Sequence, residues 1–414
     1  MISILDRRFR SKIESAATLL SPTPMLKAHL KKGREVPVIR GHPWIFSGAI
    51  EKVDGNPESV SVADILDHRG VWLARGLYNP KSQIRVRLLT WEDEEIGTEF
   101  FRRRLSQAAG VREPLIGMTN AYRLVNAEGD FLPGLVVDRY ADFLVCQFIT
   151  AGMDSLKGMV VESLARLFSP RGIYERSEGG VREEEGLPPS LGLLHGEEPP
   201  ELVSLDESGL NFLVDVRRGQ KTGFFLDQRD NRSLVSGIAR DKKVLNCFAY
   251  TGAFAACALK GGAREVVSVD SSRSALDLAE QTVVANGFPA LPDHFLRRDV
   301  FSYLKGCREP FDVVILDPPS LAHRRPDVEA AAGGYKFLNL HALRLLKPDG
   351  LLMTFSCSQH ISADLFQKII FGAAVDSGRR TRILKRLGHS IDHPVSLHHP
   401  EGEYLKGVLL NVLE

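Results

Sequence analysis

No stretch of this sequence approaches the ~18–20 consecutive apolar residues that a membrane span requires, so no membrane partner is expected. The opening residues, Met1 to Leu20, lack the charged start, apolar core and small-residue cleavage site of a secretory leader. Cysteine is scarce. Five residues, an odd and dispersed set, argue against a disulfide framework and predict a reducing, cytoplasmic location. No Cys or His group has zinc spacing, and His393, His398 and His399 lie in a turn-rich segment without a recognised ligand set, so no metal is expected. A large net charge is missing too, the formal value being +1. Its distribution is uneven: residues 24–91 carry eleven Lys/Arg against six Asp/Glu, and residues 175–207 carry ten acids against two Arg. The basic excess points toward phosphate backbones, whereas the acidic stretch reads as a solvated face.

What is present is enough chain, at 414 residues, for two or three domains. Residues 1–24, ending Ser21-Pro22-Thr23-Pro24, read as a lead-in segment. Strands are expected at Pro37–Ile39, Ser61–Leu66, Val71–Leu77 and Ile84–Leu89, between Gly, Asn and Pro turns. Among them sit Arg40, His42, Trp44 and Phe46, either a stacking platform for bases or, as is commoner for such aromatics, the core of a small barrel. A helix is expected over Glu92–Gly110, a hairpin from Tyr122–Ala127 and Leu135–Asp138, a strand at Leu144–Thr150 and a helix over Leu156–Phe168. Glu175–Pro200, rich in Glu, Gly and Pro, reads as an exposed loop before a strand at Leu210–Val216.

The chain is organised around Val244–Asp270: a short apolar strand, a loop around Gly252, a small-residue helix and a strand closed by an acid. That is a βαβ nucleotide-site pattern. Strands at Val244–Phe248, Glu265–Asp270, His294–Arg298, Asp312–Leu316 and Leu351–Ser356 alternate with helices, and Thr381–Leu387 and Tyr404–Val412 follow as an antiparallel pair. The fold class is α/β, with a seven-stranded doubly wound, Rossmann-like sheet.

Ligands of such sheets bind outside the carboxyl ends of the strands. The loop Ala249–Phe254 offers close backbone approach at Gly252 but lacks G-x-G-x-x-G, which disfavours a pyrophosphate cradle and a dinucleotide dehydrogenase. Asp270 is placed to accept from ribose hydroxyls, and Asp299 to meet the amino group of an adenine. A phosphate-free adenosyl ligand, S-adenosylmethionine, fits this set. Each acid singly is more simply a helix cap, but with Asp317 there are three at successive strand ends. Upstream, Asp227 either caps the helix Arg229–Ile238 or helps the segment Gln220–Asp230 close over a bound small molecule.

The fourth strand ends in Asp317-Pro318-Pro319-Ser320, a rigid turn whose carboxylate can pair with a ring nitrogen or amine. The fifth ends in Ser356-Cys357-Ser358, which places a thiol at the active edge as a candidate nucleophile. Thiol and acid on adjacent loops suit methylation of cytosine at C5: a thiolate adding to C6 activates C5, and Asp317 steadies charge near N3. The base is reached by flipping or from an unpaired region.

These residues resemble a known family, the cytosine-C5 23S ribosomal RNA methyltransferases of the large-subunit methyltransferase I type, which carry an N-terminal PUA domain. The marks are Gly41-His42-Pro43-Trp44, Gly223-Phe224-Phe225-Leu226-Asp227-Gln228-Arg229, Asn246-Cys247-Phe248-Ala249-Tyr250-Thr251-Gly252, Leu316-Asp317-Pro318-Pro319 and Phe355-Ser356-Cys357-Ser358. The resemblance implies a β-barrel-like PUA RNA-binding domain over 24–92, a central α+β domain with a β-hairpin over 93–216 and a methyltransferase domain over 217–414. It implies Cys357 as the covalent nucleophile, assisted by Asp317. It also implies S-adenosylmethionine held by Phe225, Asp227, Gln228, Arg229, Asn246, Phe248, Tyr250, Thr251, Gly252, Asp270, Ser271, Asp299, Asp317 and Pro318. RNA would be met by Arg40, His42, Trp44 and Phe46. Several RNA cytosine-C5 methyltransferase groups carry a second Cys where Ser320 stands, so product release here falls to another base or to water. Oligomeric state is open, a homodimer included. Two alternatives stand beside this reading: methylation of an exocyclic base amine, and a non-catalytic ribosome-assembly RNA binder.

Overall fold

The computed structural model describes residues 26–322 and 324–413, and the lead-in segment 1–24 lies outside them. Six short strands build the first sheet: β1 (Leu26–Leu30), β2 (Trp44–Phe46), β3 (Ile50–Asp54), β4 (Ser61–Leu66), β5 (Trp72–Tyr78) and β6 (Ile84–Thr90), ordered β2-β6-β5-β4-β1-β3. Alternate residues Leu26, Ala28 and Leu30 point into a core completed by Ile45, Ile65, Ala74, Val86 and Leu88. The strand expected at Pro37–Ile39 is instead a helical turn, Val36–Ile39. Pro37 explains it: the ring is pre-set for the first turn of a helix and has no amide to give a sheet.

The central domain holds β7 (Ala121–Asn126), β8 (Leu135–Tyr140), β9 (Phe143–Phe148), β10 (Gly172–Ser177) and β11 (Ser190–Gly196), in the order β11-β10-β9-β8-β7. Helices Thr98–Val111 and Lys157–Phe168 lay Phe100, Phe101, Leu105, Val160 and Leu164 against it. The expected exposed loop at Glu175–Pro200 is contradicted. It contributes β10, a helical turn Gly180–Glu184 and β11, and it buries Glu175, Arg176, Arg182 and Glu185. Two of its acids are paired inside the protein: Glu185 takes bonds from Ser82 (2.6 Å), Arg87 (2.8 Å) and Asn79 (2.8 Å), and Glu175 one from Lys157 (2.9 Å). A ribbon of β12 (Val203–Glu207) and β13 (Leu210–Val214) then leads to the last domain.

That domain's sheet comprises β14 (Lys243–Cys247), β15 (Glu265–Asp270), β16 (Phe295–Arg297), β17 (Phe311–Leu316), β18 (Leu346–Ser356), β19 (Thr381–Leu387) and β20 (Lys406–Val412). The order is β16-β15-β14-β17-β18-β20-β19, parallel except for β20, which runs antiparallel to both neighbours. Strand order reverses between β14 and β17, so their carboxyl ends open the crevice where such sheets bind ligands. Both faces of the sheet are covered, and β14 is accordingly buried at every position.

The connection from β19 to β20 straps the three domains together. Asp392 accepts from Arg123 N (3.0 Å) and Arg112 (2.8 Å, to its carbonyl), and Pro394 O accepts from Asn126 (3.0 Å). His399 lies 4.4 Å, centroid to centroid, from Trp44, while Ser390 N donates to Asp227 O at 3.0 Å. His399 is therefore a packing group against the first sheet.

Candidate active site

The loop after β14 turns sharply: Phe248 (φ 58°) and Tyr250 (φ 45°) both adopt the left-handed conformation, a strained arrangement for bulky residues and one that clusters at binding sites. Asp270, ending β15, holds the loop by accepting from Tyr250 N at 2.9 Å, and also accepts from Ser272 N at 2.9 Å. Gly252 (φ 76°) is needed for a reason other than ligand approach: a Cβ there would sit 2.7 Å from Ala279 Cβ, on the helix Arg273–Ala285.

Beside this loop lies a cavity of about 440 Å³. Of the expected cofactor and catalytic residues, it gathers Phe225, Asp227, Gln228, Phe248, Tyr250, Thr251, Asp270, Ser271, Asp317, Pro318 and Cys357. Four expected residues stand outside its lining. Arg229 is buried with Glu207 (3.1 Å) and Asp392 (3.0 Å). Asn246 lies within β14 with both side-chain polar atoms unpartnered. Gly252 packs as described. Asp299 caps the helix Val300–Gly306 by accepting from Ser302 N at 2.8 Å, and faces a separate concavity.

Asp227 is no helix cap. Its Oδ2 accepts from the Tyr404 hydroxyl at 2.5 Å, and its buried Oδ1 has no partner. Burial opposes its charge, yet Lys221, His393 and the Tyr404 bond hold it down to about 2. Asp317 shows the opposite balance: desolvation and the neighbouring Asp227 charge push it up to about 7, against the pull of Gln228 and Lys221. Burial also raises the Cys357 thiol, Lys221 draws it back, and Asp317 and Asp227 raise it further. Cys357 Sγ lies 3.8 Å from the Pro318 carbonyl oxygen.

Lys221 and Tyr404 are members of the lining that the sequence did not single out. Lys221 Nζ sits 5.2 Å from the Phe225 ring centre and 5.5 Å from that of Tyr404, on a backbone with φ 53°. Its place just before the Gly223–Arg229 motif is a usable signal. Tyr404 arrives from 177 residues beyond Asp227, with no local signal at all.

The cavity suits S-adenosylmethionine. Three carboxylates, Asp227, Asp270 and Asp317, line it, and Arg232 is neutralised by Glu207 at 2.8 Å. Such a lining favours a sulfonium and an ammonium over phosphates, and the orphaned Asp227 Oδ1 is an acceptor awaiting a donor.

Of the expected RNA-binding residues, Arg40 and Phe46 are exposed and His42 is half-buried. Trp44 is tied inward, donating to Glu128 at 2.9 Å and packing on His399. Trp44 and Phe46 share the wall of a second cavity, about 680 Å³, with Lys81, Glu128 and Val181.

Residues 187–375 match the family described as S-adenosylmethionine-dependent methyltransferase, and residues 28–91 match the PUA-like domain. Fold, cavity and these matches define an S-adenosylmethionine-dependent methyltransferase with a PUA-like domain. A ribosomal RNA large subunit methyltransferase I from Tolumonas auensis is 48% identical over 392 residues, covering 93% of this chain and 99% of the relative. Its namesake from Aeromonas salmonicida is 48% identical, covering 92% and 98%. A solved structure of a candidate methyltransferase complexed with SAH superposes with a TM-score of 0.82 at 25% identity, covering 94% of this chain and all of that one. The chain belongs to the ribosomal RNA large subunit methyltransferase I family. Among the described residues no helix is long and apolar enough to cross a membrane.

Proposed function

We propose that the protein methylates C5 of a cytosine in 23S ribosomal RNA, in the cytoplasm, through a covalent adduct of Cys357. The names of the relatives support the substrate class. The observation that carries the chemistry is the approach of Cys357 to the Asp317-Pro318 turn within one cavity, Sγ 3.8 Å from the Pro318 oxygen. S-adenosylmethionine supplies the methyl group; Asp227, Asp270 and the Phe248–Thr251 loop are the residues that would hold it.

Carbon 5 of cytosine is too poor a nucleophile unaided. The Cys357 thiolate forms a bond to C6, an electron pair moves through the ring, and C5 becomes enamine-like. Asp317, raised to about 7, donates its proton toward N3 as charge gathers there. After C5 is methylated its proton leaves to a base or to water. The Sγ–C6 bond then breaks, its electron pair returns to sulfur, and N3 gives its proton back to Asp317. Because the cavity lies inside the domain, the target cytosine must leave its stack to enter.

Replacing Cys357 with Ala tests this reading. Methyl transfer to cytosine C5 is expected to vanish while binding of SAH stays within about twofold of wild type. Transfer at the wild-type rate would remove Cys357 from the mechanism and favour attack by an exocyclic amine.

A further inference from the structure

Lys406 opens β20 directly across from Ser356, the last residue of β18. It is 9% exposed, and its ammonium donates to the carbonyl oxygen of Ser358 at 2.6 Å. The side chain thus spans the turn Ser356-Cys357-Ser358, with Cys357 between the residue it pairs with and the residue it holds. Among the described residues no carboxylate lies in ion-pair range of it. The contrast is Lys243, buried to the same degree but bonded to Glu265 (2.7 Å) and to Glu309. A buried ammonium without a counter-ion is costly, and its usual resolution is loss of the proton or a nearby anion. Burial draws Lys406 down to about 8, with Cys357 and Glu403 the groups that oppose the shift.

We propose that Lys406 is the resident cation behind Cys357: held on the Ser358 carbonyl from outside the cavity lining, its ammonium favours the thiolate once the thiol proton has passed to solvent. After the Sγ–C6 bond breaks, the electron pair returns to a sulfur already faced by a cation. Lys406 acts through Cys357 and is a positioning residue. The role extends the reading of Cys357 as nucleophile and rests on it. The other charged groups facing the thiol are Lys221, Asp317 and Asp227, all on the cavity side.

The test is the pH dependence of iodoacetamide labelling of Cys357 in the full-length protein, scored by peptide mass spectrometry so that Cys307, the other partly exposed thiol, serves as an internal control. In Lys406→Met the labelling midpoint is expected to rise by about one pH unit, giving about tenfold slower labelling of Cys357 near neutrality, with Cys307 unchanged. Lys406→Arg, which keeps a cation, is expected to leave the midpoint at or below that of wild type. An unmoved midpoint in Lys406→Met overturns the proposal. So does a midpoint raised in Lys406→Arg, which remains decisive if the Met variant does not fold. Labelling is read without methyl transfer, so loss of the nucleophile reading through an active Cys357→Ala enzyme is a separate result.

Discussion

Tyr404 donates to Asp227 Oδ2 at 2.5 Å, joining the first residue group of the cavity to the segment that enters the last strand. Lys221 and His393, with this bond, keep one carboxylate ionised within reach of a second, Asp317, that is pushed the other way. Two acids in one cavity are thereby set to different tasks, one to hold a cation and the other to carry a proton. In Tyr404→Phe the buried Asp227 carboxylate loses its one side-chain donor. Calorimetric affinity for SAH is expected to fall tenfold or more, as for the loss of a hydrogen bond to a charged group. An unchanged affinity would place Asp227 outside the cofactor site.

The Asp317 shift sets a pH dependence. Between about 7 and the ionisation of the thiol, the Asp317–Cys357 pair shares one proton, and the reactive form has it on Asp317. The value of kcat/KM is expected to rise through about 7 and fall above the thiol range. In Asp317→Asn, the limb near 7 should be lost and kcat lowered roughly 10²–10⁴-fold. Stability moves oppositely. A carboxyl raised from 3.8 to about 7 on folding weakens the fold progressively as pH rises between those values. Asp317→Asn should therefore be more stable than wild type at pH 8, by up to about 4 kcal/mol, and equal to it below about pH 3.5. Urea denaturation at the two pH values checks this.

Glu185 provides a prediction about folding alone. It is buried with Arg87, Ser82 and Asn79 at the junction of the first two domains. Burial by itself would raise its carboxyl, but these partners lower it, so its stabilisation is present above its unfolded value and fades as pH falls through the folded one. Glu185→Ala strands Arg87 and is expected to cost about 3–5 kcal/mol at pH 7 by urea denaturation. A loss below 1 kcal/mol would mean that the network is solvated.

Trp44 and Phe46 should separate in their effects. Phe46 is 52% exposed, whereas Trp44 is bonded to Glu128 and packed on His399. Phe46→Ala is expected to weaken binding of an rRNA fragment by about 1–3 kcal/mol with no change in thermal stability, the signature of a base-stacking residue. Trp44→Ala should lower thermal stability first. Equal RNA affinity in Phe46→Ala and wild type would remove the exposed aromatic from the RNA surface.

The sheet was legible because its strands are continuous apolar runs between helices of ordinary period, and the edge acids mark the carboxyl ends. Cys357 and Asp317 stood out for the same reason, and the Gly223–Arg229 segment through the resemblance. The structural place of Arg229 was not legible, because the acid that takes its charge, Glu207, lies on β12 and can be paired with it only in three dimensions. The acidic stretch misled in the same way. Counted along the chain, Glu175, Glu185 and Glu207 look solvated, yet each meets a cation from another element. Asp299 shows the converse, a polar residue at a strand end whose side chain is engaged by its own helix.

The most direct test is a covalent trap. An rRNA fragment carrying 5-fluorocytosine at the methylated position offers C6 to the thiolate but has no C5 proton to lose, so elimination stalls. With S-adenosylmethionine present, wild-type protein is expected to yield a denaturant-resistant protein–RNA complex whose linked peptide contains Cys357, and Cys357→Ala to yield none. Methyl transfer to cytosine C5 with no such complex, or a link at another residue, would contradict the account.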